Sequence, residues 1–337
     1  MSYAQYLGAA PTIAIGPIRL EGRALLAPMS GISDLAMRRI ARRFGAALVF
    51  SEMVAAETFL RGDAETSMRA EGDGLAPHAV QLVGREAKAL AETARRVVDA
   101  GAVLVDINMG CPSRRVSGCL AGAALMRDLD SAERLIATVV AAVSVPVTVK
   151  MRLGWDETSV NAPDLAQRAE RAGAQMTTVH GRTRSQFYDG RADWAAVRAV
   201  VSSVAIPVVI NGDCATVEDA RVMLALSGAA GVMIGRGAVG APWLVGALSR
   251  ALDEGGPARA PSQEDRREAA LEHLDWLVGK LGPRAGLRHA RKHLAAYADH
   301  AGADDTLRRE LVTCEDALQS RRLLARAFDR DWARQAA

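Results

Sequence analysis

The sequence predicts an α/β protein: a (β/α)8 TIM barrel with a C-terminal all-helical domain. Three observations carry that expectation. The first three-quarters of the chain alternates short β-branched runs with Ala-rich amphipathic stretches. Eight such runs fall within about 230 residues, the stoichiometry of eight βα units. Polar and glycine-rich residues come just after the strand-like runs, and in a barrel those positions share one rim. A doubly wound open sheet stays open as the alternative, because strand count alone does not close a barrel.

The elements follow in order. Residues 12–15 and 18–20 flank Gly16-Pro17 and read as a small hairpin ahead of the barrel. Barrel strands are expected at 24–27, 47–52, 79–82, 103–107, 147–151, 177–180, 208–210 and 231–234. Helical patterns occupy 35–44, 88–100, 132–143, 162–172 and 217–226. A Gly or Pro recurs just before the next strand, at Gly45, Gly101, Pro146, Gly173, Pro207 and Gly228. Composition changes after Leu248, and the stretch DEGGPARAP reads as a linker. The expected domains are therefore a barrel over 1–250, a linker over 251–261 and a helical domain over 262–337.

Composition narrows the function class. The 337 residues are 50% hydrophobic and 24% charged, which fits a folded chain with a large core and excludes disorder or a fibrous repeat. Four scattered cysteines form neither a disulfide framework nor a Cys-x-x-Cys zinc pair, so no metal is expected. The N-terminus lacks a basic start followed by a long apolar stretch, and no run of about 18 apolar residues exists, so neither signal peptide nor membrane span is expected. The expected compartment is the cytoplasm. A net charge of +3 permits a polyanionic partner without requiring one.

Three constellations bear chemistry. In VDINMGCPSRRV a strand ends in Asn108-Met109-Gly110, then presents Cys111 ahead of Pro112. Gly110 permits a tight turn and Pro112 stiffens the backbone, so a thiol fixed on the rim would act as nucleophile or proton donor. A lone cysteine is more often a buried apolar residue, and that reading stays open. The second constellation is a phosphate and flavin cradle. Asn211-Gly212-Asp213 follows the seventh strand and Gly235-Arg236-Gly237 the eighth, where barrels commonly bind phosphate. Residues 235–240 also match G-x-G-x-x-G, but a linker rather than a further strand follows, so a dinucleotide fold is not expected. Lys150 and His180 end adjacent strands, where a cation would stabilise a reduced flavin. Glu52 and Asp106 lie in apolar strands as site-orienting or merely buried acids. The third constellation is basic: Arg114, Arg115, Arg182 and Arg184, with Arg284, Arg288, Arg291 and Lys292 on one helix face. Together they could track a phosphate backbone, although a charge run is commonly just a solvated face.

These motifs resemble those of the bacterial tRNA-dihydrouridine synthases, most nearly the B-type subgroup. The resemblance rests on APMSGISD, SEMV, VQLVG, DINMGCPSRRV followed by LAGAALM, VTVKMRLGW, TVHGRTRSQFYDGRADW, PVVINGD, GVMIGRGAVGAPW and GPRAGLRHARKHLAAY. It runs from about Leu20 to at least Tyr297. It implies an FMN-containing barrel, a helical tRNA-binding domain, and NADPH-driven reduction of uridine to 5,6-dihydrouridine in tRNA. By motif position it places Pro28, Met29, Ser30, Gln81, Lys150, His180, Asn211, Gly212, Asp213, Gly235 and Arg236 on FMN, makes Cys111 the catalytic acid, and sets Asn108 and Arg182 near the target base. It implies no obligate protein partner. Two other classes remain: a flavin barrel acting on a free pyrimidine, which would not need the basic helical appendage, and a non-catalytic RNA-binding protein on a barrel scaffold.

Overall fold

The structure, a computed structural model, describes residues 12–329, so the outer ends of the expected first and last domains (1–11 and 330–337) lie outside the described residues. It opens with an antiparallel hairpin of β1 (Ala14–Ile15) and β2 (Ile18–Arg19), turning at Gly16 with φ +58. Then come β3 (Ala24–Leu26), β4 (Leu48–Val49), β5 (Val54–Ala55), β6 (Ala79–Val83), β7 (Leu104–Met109), β8 (Val147–Arg152), β9 (Thr177–His180), β10 (Val208–Asn211) and β11 (Gly231–Ile234). They form one parallel sheet in the order β4-β3-β11-β10-β9-β8-β7-β6-β5.

The sheet closes on itself. Phe50, just after β4, bridges in parallel to Ala79 at the start of β6, and the Ser51 amide donates to the Ala79 carbonyl at 3.0 Å. This settles the choice between a closed barrel and an open sheet. It also corrects the expected strand 47–52, which is two short strands. β4 pairs with β3, and β5 pairs with β6. Between them Ser51 leaves the regular ladder, donating its hydroxyl to the Glu52 carbonyl while accepting from the Gln81 amide.

The helices α1 (Leu35–Arg43), α2 (Ala56–Leu60), α3 (Ala64–Ala70), α4 (Ala87–Asp99), α5 (Arg114–Ser117), α6 (Leu129–Val140), α7 (Ala162–Arg171), α8 (Val197–Val201), α9 (Val217–Ser227) and α10 (Leu244–Glu254) follow or interrupt the βα units. Local chemistry sets their ends. Thr216 and Asp219 make a capping box at the start of α9, and Gly228 ends it in the left-handed region at φ +73. The sequence reading missed the short helices α2, α3 and α8, which are too brief to show a period. Helix α10 runs on to Glu254, so the segment expected to be linker from 251 begins as helix.

Side chains alternate across the sheet. Val105, Ile107 and Met109 of β7 face the helices in the large outer cluster. Leu104, Ala79, Met176, Val209 and Met233 instead share an inner cluster with Ile13 and Ile15. The hairpin thus plugs the N-terminal end of the barrel, leaving the C-terminal mouth for polar groups.

Four helices follow among the described residues: α11 (Gln263–Leu281), α12 (Pro283–Ala301), α13 (Asp305–Thr313) and α14 (Ala317–Ala327). Leu274, Leu277, Leu287, Ala290, Leu294 and Tyr297 form their core, as the period of α12 predicts. Ile40 and Trp243 of the barrel belong to the same cluster, and Trp243 stacks on Tyr297 with ring centroids 6.1 Å apart. Burying such side chains stabilises by about 1.5–3 kcal/mol each, so the two units share one apolar seam. No helix among the described residues is long and apolar enough to cross a membrane.

Candidate active site

The polar mouth follows from a period of two. Leu104 and Ala79 point into the barrel, so Asp106, Asn108 and Gln81 do too. Met176 and Val209 place Thr178, His180 and Asn211 in the same way. Lys150 lies beside Asn108 and Thr178 in register, and Arg152 beside His180. The structure therefore brings together Gln81, Asn108, Lys150, His180 and Asn211 on one inward surface. Arg152, Thr148 and Thr178 join them. The sequence reading missed these three, although the same alternation from Lys150 and His180 pointed at them.

Cys111 sits on the loop that leaves β7. Its amide and that of Gly110 both donate to Asn108 Oδ1, at 2.8 and 3.1 Å. Gly110 packs where a Cβ would lie 3.2 Å from the Met151 carbonyl carbon, so the loop passes close to β8. Gly122, at φ +59, lets the returning chain approach; a Cβ there would meet Cys111 Cβ at 3.2 Å. Burial pushes the half-buried Cys111 thiol above its ordinary value, against opposing pulls from the Ser113 amide, Arg152 and Lys150. The sulfur is therefore a protonated thiol at neutral pH.

The mouth is rich in cations. Lys150 Nζ donates to Asn211 Oδ1 at 3.0 Å, and Asn211 Nδ2 donates in turn to the Met233 carbonyl at 2.8 Å. Burial, with repulsion from Arg152, brings Lys150 down to about 8. Arg152 is buried, and among the described residues no carboxylate pairs with it. It donates to the carbonyls of Gly110, Thr183 and Phe187 and so ties the rim loops after β7 and β9 together. His180 is held neutral, well below its ordinary value, by burial and by the charges of Lys150, Arg152, Arg182 and Arg236.

Asp213 organises the next part of the rim. It adopts a left-handed φ of +59, a region that short polar side chains such as Asp tolerate. Its carboxylate accepts from both terminal nitrogens of Arg182 at 2.9 and 2.6 Å, from Arg236 at 2.9 Å and from the Ala192 amide at 2.9 Å. Burial works against ionising Asp213, but the hydrogen bonds and charge of Arg182 win and hold it below its ordinary value. Arg182 is only 1% exposed and also donates to the carbonyls of Asp189 and Gly190. Its guanidinium is committed within the chain, which differs from the expected contact with a base or phosphate. Gly212 is tightly enclosed, since a Cβ would lie 2.7 Å from Ala192 Cβ and 3.0 Å from His180 Cδ2. Gly235 faces Met29 across a looser gap of 3.7 Å. Arg236 keeps a 61% exposed side chain, its guanidinium 5.0 Å from the ring of Tyr188.

The loop after β3 holds Pro28, Met29 and Ser30, with Ser30 exposed. The Met29 amide donates to Ser33 Oγ at 2.8 Å, and the Gly31 amide donates to Glu52. Burial raises Glu52 above its ordinary value, against the Gly31 hydrogen bond and the charges of Arg69 and Lys292.

The basic residues spread over two surfaces. Arg114 and Arg115 are exposed on α5, directly after the Cys111 loop. Arg184 stands 4.5 Å from the Trp155 ring, with Arg127 at 4.9 Å from the same ring, and donates to Ser117 Oγ. On α12, Arg284, Arg288 and Arg291 line a groove of about 860 Å³ with Pro283, Leu287 and Glu315. Lys292 departs from that row. Its Nζ lies 2.9 Å from where a Cβ on Gly31 would be, so it reaches toward the barrel rim. One group outside the mouth, Asp34, His273 and His293, has ligand-type atoms within 4.8 Å of one another. Hydrogen bonding already joins Asp34 to His273 at 3.0 Å.

Fold and site together define a (β/α)8 barrel with a cation-lined mouth, a protonated thiol on its rim and a basic helical domain beside it. The chain belongs to the dihydrouridine synthase family, whose model, described as "Dihydrouridine synthase (Dus)", matches residues 25–332. A relative from Rhodobacter capsulatus, named a probable tRNA-dihydrouridine synthase, is 49% identical over 94% of this chain and 98% of its own. One from Rhizobium leguminosarum with the same name is 50% identical over 83% of this chain and 86% of its own. One from Xanthomonas axonopodis, named tRNA-dihydrouridine synthase B, is 42% identical over 86% of this chain and 88% of its own. The expected family is thereby borne out.

Proposed function

We propose that this chain reduces uridine in tRNA to 5,6-dihydrouridine, with FMN bound in the barrel mouth and NADPH as reductant. The observation that carries the reading is the placement of Cys111 on the rim loop, its amide donating to Asn108 Oδ1 next to Lys150, with burial raising its thiol above the ordinary value. The residues present fit a flavin. The Lys150 ammonium has a single acceptor among the described residues, Asn211, and no carboxylate in bonding contact. Such an under-neutralised cation suits the electron-rich pyrimidine edge of a flavin. Arg236 offers an exposed guanidinium beside Gly235, suited to a phosphate. Gln81, His180, Asn211 and Gly212 would line the ring, and Pro28, Met29, Ser30 and Asp213 would shape the surrounding loops.

A flavin held by these residues would supply the hydride that uracil reduction needs, at carbon 6 of the ring. Cys111 completes the reduction by giving its proton to carbon 5, and the thiolate is reprotonated from solvent. Asn108 would hold the base through the hydrogen on Nδ2 that it does not use on Gln81. Arg182 is a positioning residue that fixes Asp213 and the rim beneath Arg236. Arg114, Arg115 and Arg184 lie by the Cys111 loop, where the phosphates flanking an everted nucleotide would pass, at an unstacking cost of a few kcal/mol. Arg284, Arg288 and Arg291 would track the rest of the tRNA backbone, while Lys292 stands at the barrel rim. The substrate sets the proposed location in the cytoplasm.

The deciding experiment is Cys111→Ala. The variant is expected to retain flavin and oxidise NADPH while losing most dihydrouridine formation. Product yield equal to that of the parent would overturn the assignment.

A further inference from the structure

Asp106 takes no part in the steps above, yet it is buried directly under them. Its Oδ1 accepts from the Thr148 hydroxyl at 2.6 Å and its Oδ2 from Gln81 Nε2 at 2.7 Å. Gln81 Oε1 accepts from Asn108 Nδ2 at 2.8 Å, and Asn108 Oδ1 accepts from the amides of Gly110 and Cys111. An unbroken line of hydrogen bonds therefore runs from the floor of the mouth to the cysteine.

The direction of that line is fixed at both ends. Backbone N–H groups can only donate, and an ionised carboxylate can only accept. The two amides between them are each reversible by a half-turn. Only one orientation of each satisfies both ends at once. If Gln81 turned over, its oxygen would face the Asp106 carboxylate and its NH2 would face the NH2 of Asn108. If Asn108 turned to match, its NH2 would face the two loop amides, and both would lose their acceptor. Burial pushes Asp106 up to about 6, which leaves it ionised at neutral pH.

We propose that Asp106 is a positioning residue: by fixing the orientation of the Gln81 and Asn108 amides, it holds the Cys111 loop closed against the barrel mouth. Its catalytic consequence rests on the reading of Cys111 as proton donor, but its effect on the loop does not.

The test is therefore made on the full chain without RNA. Iodoacetamide labelling of Cys111 is followed by mass spectrometry, with exposed Cys119 in the same molecule as the reference. Asp106→Leu removes the acceptor while keeping the branching and the number of side-chain heavy atoms, and is expected to raise the Cys111/Cys119 labelling ratio about tenfold, the scale of losing two modest hydrogen bonds. Asp106→Asn retains an oxygen for Gln81 and turns its NH2 to the Thr148 hydroxyl, which can rotate to accept. Its ratio is expected within twofold of the parent's. Asn108→Leu is expected to reproduce the effect of Asp106→Leu, and the double variant to add nothing further. Where Asp106→Leu does not fold, Gln81→Met cuts the same line at its middle and is read the same way. An unchanged ratio in the Leu (or Met) variant, equal effects of Asn and Leu, or additive effects in the double variant would overturn the proposal. A tenfold rise alongside a fully active Cys111→Ala would uphold the positioning role while overturning the proton-donor reading.

Discussion

Acidification from pH 7.5 to 5.5 is expected to destabilise this protein through imidazoles that are buried neutral. His78, His180 and His293 are 7, 9 and 2% exposed. Burial lowers His78 to about 4, and lowers His180 and His293 well below the ordinary value. His78 uses one ring nitrogen on the Ala70 carbonyl; among the described residues its Nδ1 has no hydrogen-bond partner, nor does the Nε2 of His293, which lies 3.6 Å from Asp34 Oδ2. On unfolding, each ring regains a pKa of about 6.5 and takes up a proton that the folded form excludes. A depressed folded pKa makes the stabilisation complete above the unfolded value and progressively lost below it. Over this interval each ring costs about 1.4 kcal/mol, so three cost about 4 kcal/mol. Asp106 works the other way. Its raised pKa lets the folded form bind a proton that the unfolded form does not, which offsets just under about 1 kcal/mol. These four groups together leave a loss of about 3 kcal/mol, a large fraction of an ordinary folding stability. Urea denaturation at pH 7.5, 6.5 and 5.5 measures it directly. His78→Gln, whose amide can still serve the Ala70 carbonyl, is expected to remove about a third of the histidine contribution. A midpoint that stays constant or rises on acidification would refute the reasoning.

Three further outcomes follow from the rim and the helical domain. Arg182→Ala strips a buried guanidinium from Asp213 and two carbonyls, and should cost about 3 kcal/mol in thermal or urea stability; Arg182→Lys should recover little of it, because a point ammonium cannot make the forked contact. Gly212→Ala forces a Cβ into a left-handed backbone beside Ala192 and His180, and should cost about 2 kcal/mol in thermal stability with reduced flavin retention. Arg288→Glu with Arg291→Glu should weaken tRNA binding and lower the slope of log affinity against log salt by about 1.5, measured by filter binding at several salt concentrations. Identical slopes would remove that face of α12 from the RNA interface.

The barrel was legible because its signals are local and periodic. Buried strands announce themselves by β-branched runs, and the inward row at Gln81, Asn108, Lys150, His180 and Asn211 falls at strand ends that a sequence can locate. What stayed hidden depends on long-range pairing. The break at Ser51 exists because its amide meets Ala79, on another strand. Arg182 reads as a surface cation in HGRTR, and only the partner 31 residues away reveals a buried fork. Arg152 went unread in the sequence, since its acceptors are backbone carbonyls that any residue could supply. Asp106 was visible as an odd acid in an apolar strand, but its partners come from two neighbouring strands.

The loop after β3 links these parts mechanically. Met29 and Gly31 border the mouth, and three residues on Asp34 caps α1 by accepting the Met37 amide at 3.0 Å. The other oxygen of Asp34 meets His273 Nε2 on α11, and His273 Nδ1 meets the Tyr297 hydroxyl on α12 at 2.9 Å. Burial opposes ionising Asp34, but His273 outweighs it and keeps the carboxyl far below its ordinary value. A buried network of this kind gains little net stability over apolar packing, yet breaking one member leaves the others unsatisfied. The α11–α12 pair therefore cannot slide on the barrel without disturbing the loop that borders the mouth. Lys292 reaches from α12 over the same loop, its Nζ 2.9 Å from where a Cβ on Gly31 would be. The helical domain is thus fixed in register with the site it flanks, so the basic face of α12 is held at a defined distance from Cys111.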